Sequence, residues 1–260
     1  MVAARDYSSI SPSAKSLLLV KAQTDLPFAR RAAEIVFGTA AVEQGASADP
    51  AAALRRKHFE LRARSLDAAL QAHGAKRILE IAAGFSLRGL AMAASQDVAY
   101  VDTDLPELVS IKSDLVERIH SGPLVGTLRV QALDALDADA FRRTTAGMPD
   151  GALAIIHEGL LMYLGDEEKT RLAASVRETL LERGGAWITA DVYVRSETHL
   201  LREESVKKFL AEHRVEENKF ADWAAAEAFF TSSGFSIENR LAPPSDSWRV
   251  RETWTLRARR

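Results

Sequence analysis

The chain has 260 residues, 47% hydrophobic and 27% charged, enough for one α/β domain with a full core and an appended cap. A formal net charge of -2 and a pI near 6.3 provide no basic surface for nucleic acid or an anionic membrane, and no apolar run approaches the about 20 residues of a membrane span. Zero cysteines exclude disulfides, thiolate metal sites and a cysteine nucleophile; no metal is expected. The apolar run Leu17 to Val20 is too short for a secretion signal, so a cytoplasmic location is expected.

In chain order, Ile10, Ala14, Leu17 and Leu18 share one face of a helix that starts after Ser11-Pro12, and Lys21 falls on that face one turn later. A lysine there either snorkels to the surface from the helix end or serves as an inward cation. A second helix is predicted over Pro27 to Val36, a loop over Ala46 to Pro50, and a long helix over Ala51 to His73. Phe59, Leu66, Ala69 and Leu70 form its apolar stripe, with Arg62 inside it. Burying a guanidinium without an anion is costly, so Arg62 needs Glu80, another acid or a ligand as partner.

The sharpest stretch is Ile78-Leu79-Glu80-Ile81-Ala82-Ala83-Gly84-Phe85-Ser86: a buried strand over Ile78 to Ala82, a glycine turn, and a helix over Leu87 to Ala94. Such a corner binds ligands at the carboxyl ends of the strands of an open α/β sheet. Ala82 and Leu87 replace the first and third glycines of a dinucleotide fingerprint. Leu90-Ala91 replaces the Lys-Ser/Thr of a phosphate loop.

Further strands are predicted over Asp97 to Asp104, Thr127 to Leu133, Ala152 to His157 and Ala186 to Val192. Pro106 opens a helix to Ile119, and Asp166-Glu167-Glu168 starts another. Asp222 caps a helix closed by Gly234, and two last strands lie near Phe235 to Leu241 and Trp248 to Leu256. This alternation predicts one mostly parallel sheet with a terminal antiparallel hairpin. Residues 193–220, with Arg195, His199 and Arg202, interrupt it as a polar insert at the carboxyl edge, a place for a pocket wall.

The strands end in Glu80, Asp104, Asp134 and Glu158. Like charges on one edge repel unless a cationic, hydroxyl-bearing ligand lies among them, and S-adenosylmethionine has a ribose diol, an ammonium group and a sulfonium. Together with Lys21, Arg62-Ala63-Arg64-Ser65-Leu66-Asp67, Tyr100 to Pro106, Asp134-Ala135 and Glu158-Gly159-Leu160-Leu161-Met162-Tyr163-Leu164, these residues make the chain resemble the leucine carboxyl methyltransferase family. That family belongs to the class I S-adenosylmethionine-dependent methyltransferases and includes bacterial O-methyltransferases of secondary metabolism.

The resemblance implies an α/β, Rossmann-like sheet of seven strands within a single domain over residues 1–260, with a helical cap over 1–73 and a lid over 193–220. It implies that Lys21 and Arg62 hold the methionyl carboxylate, with Arg64 as the alternative to Arg62. Glu80 is a further cofactor-site residue, and Gly84 lets the backbone approach. Asp104 takes the ribose, with Asp102 as alternative; Asp134 and Ala135 meet the adenine; Glu158 lies near the ammonium. The expected activity is O-methylation of a small-molecule acid or hydroxyl, with carboxyl preferred. A protein carboxyl terminus as acceptor, or a partner or sensor that binds the cofactor without turnover, are the alternatives. His157, Tyr163, Tyr193 and His199 are possible acceptor-side residues, as are Arg195 and Arg202; no general base is assigned.

Overall fold

A computed structural model of the protein describes residues 11–45, 49–195, 208, 210–242 and 251–260. Helices α1 (Ser11–Lys21), α2 (Ala29–Phe37), α3 (Thr39–Gln44) and α4 (Pro50–His73) come first. Strands and helices then alternate: β1 (Arg77–Glu80), α5 (Arg88–Ser95), β2 (Ala99–Asp104), α6 (Pro106–Ile119), β3 (Thr127–Ala132), α7 (Ala138–Ala146), β4 (Leu153–His157), α8 (Asp166–Arg183) and β5 (Gly185–Tyr193). Two helices, Val215–Asn218 and Trp223–Ser232, precede β6 (Phe235–Leu241) and β7 (Arg251–Ala258).

The strands form one seven-stranded sheet in the order β3-β2-β1-β4-β5-β7-β6. The first five are parallel, and β7 runs antiparallel to both β5 and β6, as the predicted terminal hairpin requires. Strand order reverses between β1 and β4, which are neighbours, so the loops after β1 and β4 diverge there and leave a crevice at their carboxyl ends.

Alternation along each strand assigns the two faces. Ile78 of β1, Ile156 of β4 and Ile188 of β5 pack with Leu66 and Leu70 of α4 on one face. Leu79, Ile155 and Trp187 pack on the other with Leu172 and Val176 of α8 and with Phe230. A third cluster joins Leu18, Ala33 and Val42 of the first three helices to Leu90 of α5 and Leu115 of α6. Those helices are therefore seated on the sheet's own helices.

The boundaries differ from expectation where backbone geometry intervenes. Strand β1 stops at Glu80 rather than Ala82, because Ala82 turns to a φ of 50° and starts the loop two residues before Gly84 does the same at 52°. Helix α5 starts at Arg88 with Leu87 as its N-cap residue. The short helix α3 was not predicted. Nor was α7, although Asp137 caps it by accepting from the N–H groups of Asp139 and Ala140. Ile10, residues 46–48 of the predicted loop and residues 248–250 of the predicted last strand lie outside the described residues. Among those described, no helix is long and apolar enough to cross a membrane.

Candidate functional site

Four elements converge at the crevice. Lys21 is the last residue of α1, Arg62 lies mid-way along α4, Arg88 opens α5, and Glu158 follows β4. Lys21, far from snorkelling, is 7% exposed and pairs directly with Glu158. Arg62 Nη2 lies 3.8 Å from Glu158 Oε1, and Arg88 Nη2 lies 3.3 Å from Oε2. One buried carboxylate thus gathers three buried cations. Burial alone would raise the Glu158 pKa, but Lys21, Arg62 and Arg88 hold it well below the usual carboxylate range. Burial lowers the Lys21 pKa against the attraction of Glu158, and repulsion from Arg62 and Arg88 adds to the fall.

Arg62 has a second partner in Tyr193, whose hydroxyl accepts from Nη1 at 3.4 Å and lies 3.0 Å from His58 Nε2. Its Nε is buried with no hydrogen-bond partner among the described residues. Arg64, the alternative to Arg62, is turned outward and paired with Glu60 on the surface of α4.

Glu80 is fully buried at the end of β1, where its carboxylate accepts from Arg88 and from the Tyr100 hydroxyl. Its place is beneath the glycine turn, holding Arg88, which also pairs with Asp67. At the end of β2 the two acids separate. Asp102 is committed to Lys112 at 2.6 Å, and burial, with repulsion from Glu80 and Asp104, pushes its pKa up to about 7 against the pull of Lys112. Asp104 accepts from the N–H of Gly84 at 2.6 Å and of Leu105 at 2.8 Å, and burial raises its pKa against those two bonds. Glu80 is therefore paired within the chain by Arg88, Asp102 by Lys112, and Glu158 by Lys21, Arg62 and Arg88, whereas Asp104 is held by backbone N–H groups. Repulsion persists at the end of β2, where burial and Glu80 together raise the pKa of both Asp102 and Asp104.

Asp134 is exposed and holds the turn after β3 by accepting from Leu136 N at 2.9 Å, with Ala135 half-buried beside it. Gly84 needs its positive φ. Among the described residues, a β-carbon there would meet only Ala14 of α1, at 3.6 Å. A groove of about 580 Å³ runs between α4 and α5 and reaches the same loop at Phe85 and Ser86, with Lys21 and Arg88 on its wall. Gly84, Asp104, Asp134 and Glu158 do not line it.

The acceptor-side candidates divide. Tyr193 is in the cluster through Arg62 and His58. Tyr163 bonds to Ser13 of α1 and sets its ring edge-on to His213; burial raises its pKa. His157 is wholly buried, its Nδ1 3.3 Å from Asp191. Arg195 is exposed and donates to the carbonyls of Glu216 and Glu217 in the Val215–Asn218 helix. His199 and Arg202 lie outside the described residues, as do residues 196–207 and 209 of the expected lid.

Three residues of the cluster escaped the sequence reading. Arg88 opens a helix, where a cation is no signal. Asp191 is the lone acid inside the nine buried residues of β5, a usable sign. Arg251 pairs in register with Tyr193 and is 1% exposed; its Nη1 donates to Ser65, Thr253 and the Ala190 carbonyl. Its Nε has no partner, and no carboxylate among the described residues pairs with it.

Comparison with known proteins agrees with this architecture. The model of the leucine carboxyl methyltransferase family matches residues 10–177. No curated protein matches the sequence. Among solved structures, a DUF574 family protein from Streptomyces avermitilis aligns with a TM-score of 0.57 at 17% identity, covering 95% of this chain and 97% of that one. Magnesium protoporphyrin IX methyltransferase from Synechocystis, with bound SAH, aligns at 0.53 and 12% identity over 88% of this chain and 100% of that one. The S-adenosylmethionine-dependent methyltransferase SibL aligns at 0.51 and 16% identity over 80% of this chain and 58% of that one. Against SibL and several other matches the chain spans only about half of the longer protein, 58% or 43%. At these identities the structures share the fold; the family model covers more than half of the chain, which therefore belongs to the leucine carboxyl methyltransferase family of S-adenosylmethionine-dependent methyltransferases.

Proposed function

We propose that the protein is an O-methyltransferase that binds S-adenosylmethionine at the crevice and methylates a small acceptor carrying a carboxylate. The observation that carries the reading is the buried Lys21–Glu158 pair with Arg62 beside it. A cation and an anion side by side are complementary to the carboxylate and ammonium of an amino-acid zwitterion, and the unpartnered Arg62 Nε supplies a spare donor. Lys21 and Arg62 would hold the carboxylate and Glu158 the ammonium. Asp104 would take the ribose hydroxyls, and Asp134 with the Ala135 amide the adenine. Glu80 would serve through Arg88, and Gly84 through its bare α-carbon. We read residues 1–260 as one domain in which 1–73 cap the site and 193–220 cover it.

When bound, the cofactor supplies a methyl group on a sulfonium, open to in-line attack by an oxygen. Little else is asked of the protein beyond orientation and exclusion of water. A carboxylate acceptor, with a pKa of roughly 4, is already ionised and needs no base. Arg251 and Arg62, two buried guanidinium groups flanking Tyr193 with few acceptors, favour an anionic acceptor over a neutral one. Calorimetry with S-adenosylmethionine, S-adenosylhomocysteine, NAD and ATP tests the cofactor reading. Micromolar binding, about 8 kcal/mol, is expected for the first two only. Product formation from matched carboxylic and phenolic acceptors tests the chemistry. A methyl ester releases methanol in mild alkali, and an alkali-stable product rejects the carboxylate.

A further inference from the structure

Glu158 can gather Lys21, Arg62 and Arg88 only if the loop that carries it is held still, and the structure shows what holds it. Asp191, on β5, is 1% exposed. Its Oδ1 accepts from the N–H of Gly159 at 2.6 Å. Its Oδ2 accepts from the N–H of Leu160 and from that of Leu161 at 3.0 Å, and lies 3.3 Å from His157 Nδ1. The four partners are residues 157 and 159 to 161, so one carboxylate grips the chain on both sides of Glu158. Burial pushes the Asp191 carboxyl up, but His157, Arg62 and the loop N–H groups hold it below the usual range, so the grip is that of an anion.

The loop is confined on its other side as well. Gly159 has a φ of 79°, and a β-carbon there would come within 3.3 Å of Arg62 Nη2. Backbone is thus packed between a carboxylate and a guanidinium, with no slack for the preceding side chain. A loop tied only by its own turn would leave Glu158 free to follow Lys21 toward α1. Three charge-assisted bonds to successive N–H groups prevent that.

We propose that Asp191 is a positioning residue for cofactor binding: by fixing the backbone of residues 159–161 it sets the Glu158 carboxylate where the cofactor's ammonium group meets it. The inference rests on the cofactor reading above, and its test separates the two. Asp191→Asn keeps the size, but an amide has one oxygen, so its NH2 group must face at least one loop N–H. In the ligand-free protein, amide hydrogen exchange at Gly159, Leu160 and Leu161 should rise by roughly a hundredfold or more, while the central strands stay protected. The dissociation constant for S-adenosylhomocysteine should rise by about tenfold or more. In a Glu158→Gln background the same substitution should cost less than about twofold, because its effect passes through Glu158.

Unchanged exchange at residues 159–161, or an undiminished tenfold loss in the Glu158→Gln background, overturns the proposal. Should the asparagine variant not fold, Asp191→Glu keeps the charge on a longer arm that displaces the loop, and unchanged affinity in it overturns the proposal equally. Failure of the unaltered protein to bind S-adenosylhomocysteine would sink the cofactor reading. The crystal structure of the Asp191 variant would then still decide whether Glu158 has moved, and a Glu158 left in place rejects the positioning role.

Discussion

Lys21 and Glu158 stand 137 residues apart in the chain and meet in a buried ion pair. The pair is asymmetric, because Glu158 also has Arg62 and Arg88 whereas Lys21 has Glu158 as its acidic partner. Lys21→Met should therefore cost little stability, under about 1 kcal/mol, while Glu158→Gln takes the carboxylate from Lys21 and Arg62, with Arg88 still held by Glu80 and Asp67, and should cost about 3 to 5 kcal/mol. Both should weaken S-adenosylhomocysteine binding. Urea unfolding of the two variants measures the difference; equal losses would mean the cations do not depend on this carboxylate.

The two ends of the pH scale should report different acids. Glu158 has a folded pKa below its unfolded value, so its stabilisation is present above about pH 4.3 and is lost as pH falls. Asp102 has the opposite sign: its folded pKa is raised to about 7, so its contribution is fully present below about pH 3.9 and declines as pH rises toward 7. Glu158→Gln should flatten the acid limb of the stability profile. Asp102→Asn should flatten the stretch between about pH 4 and 7, where the slope is at most about 1.4 kcal/mol per unit. Denaturant titrations from pH 3 to 8 would show it, and an acid limb identical in the Glu158 variant would contradict the assignment.

The two acids of β2 should part in binding as they do in space. Asp104→Ala should weaken S-adenosylhomocysteine by about 1 to 3 kcal/mol, since it removes the proposed ribose acceptor and frees the Gly84 N–H. Asp102→Asn should leave affinity within about twofold, because its carboxylate is occupied by Lys112. The reverse order in calorimetry would return the ribose to Asp102.

Arg251→Met should leave cofactor affinity intact and lower turnover of a carboxylate acceptor by roughly tenfold or more. Its stability should stay level or rise by about 1 to 2 kcal/mol, since a buried cation with no acidic partner among the described residues is replaced by a hydrophobe of similar length. Undiminished turnover would remove Arg251 from the acceptor side.

What could be read in the sequence was the scaffold and its inward-facing oddities. Continuous apolar runs and terminal acids located the parallel strands, and Arg62 stood out because it broke an apolar stripe on α4. Lys112 carried the same signal, lying with Leu108 and Leu115 on the buried side of α6, but went unread, and Asp102 was expected only as the alternative to Asp104. Arg88 was illegible: at a helix start, only the fold reveals that Glu80 lies below it and Glu158 beside it. Partner choice was equally hidden, since it depends on where loops bring distant residues. The contact of Arg195 with the carbonyl of Glu217, 22 residues on, was unreadable for that reason.

The Lys21–Glu158 pair also bears on the release of product after methyl transfer. Read as the site for an amino-acid zwitterion, it engages groups that the methyl donor and its demethylated product have in common, so Lys21 and Glu158 cannot tell spent cofactor from fresh. The residues nearest the sulfur would have to make that distinction. With S-adenosylhomocysteine held by the same anchors, turnover in a closed assay should slow as product accumulates and recover when a hydrolase removes it.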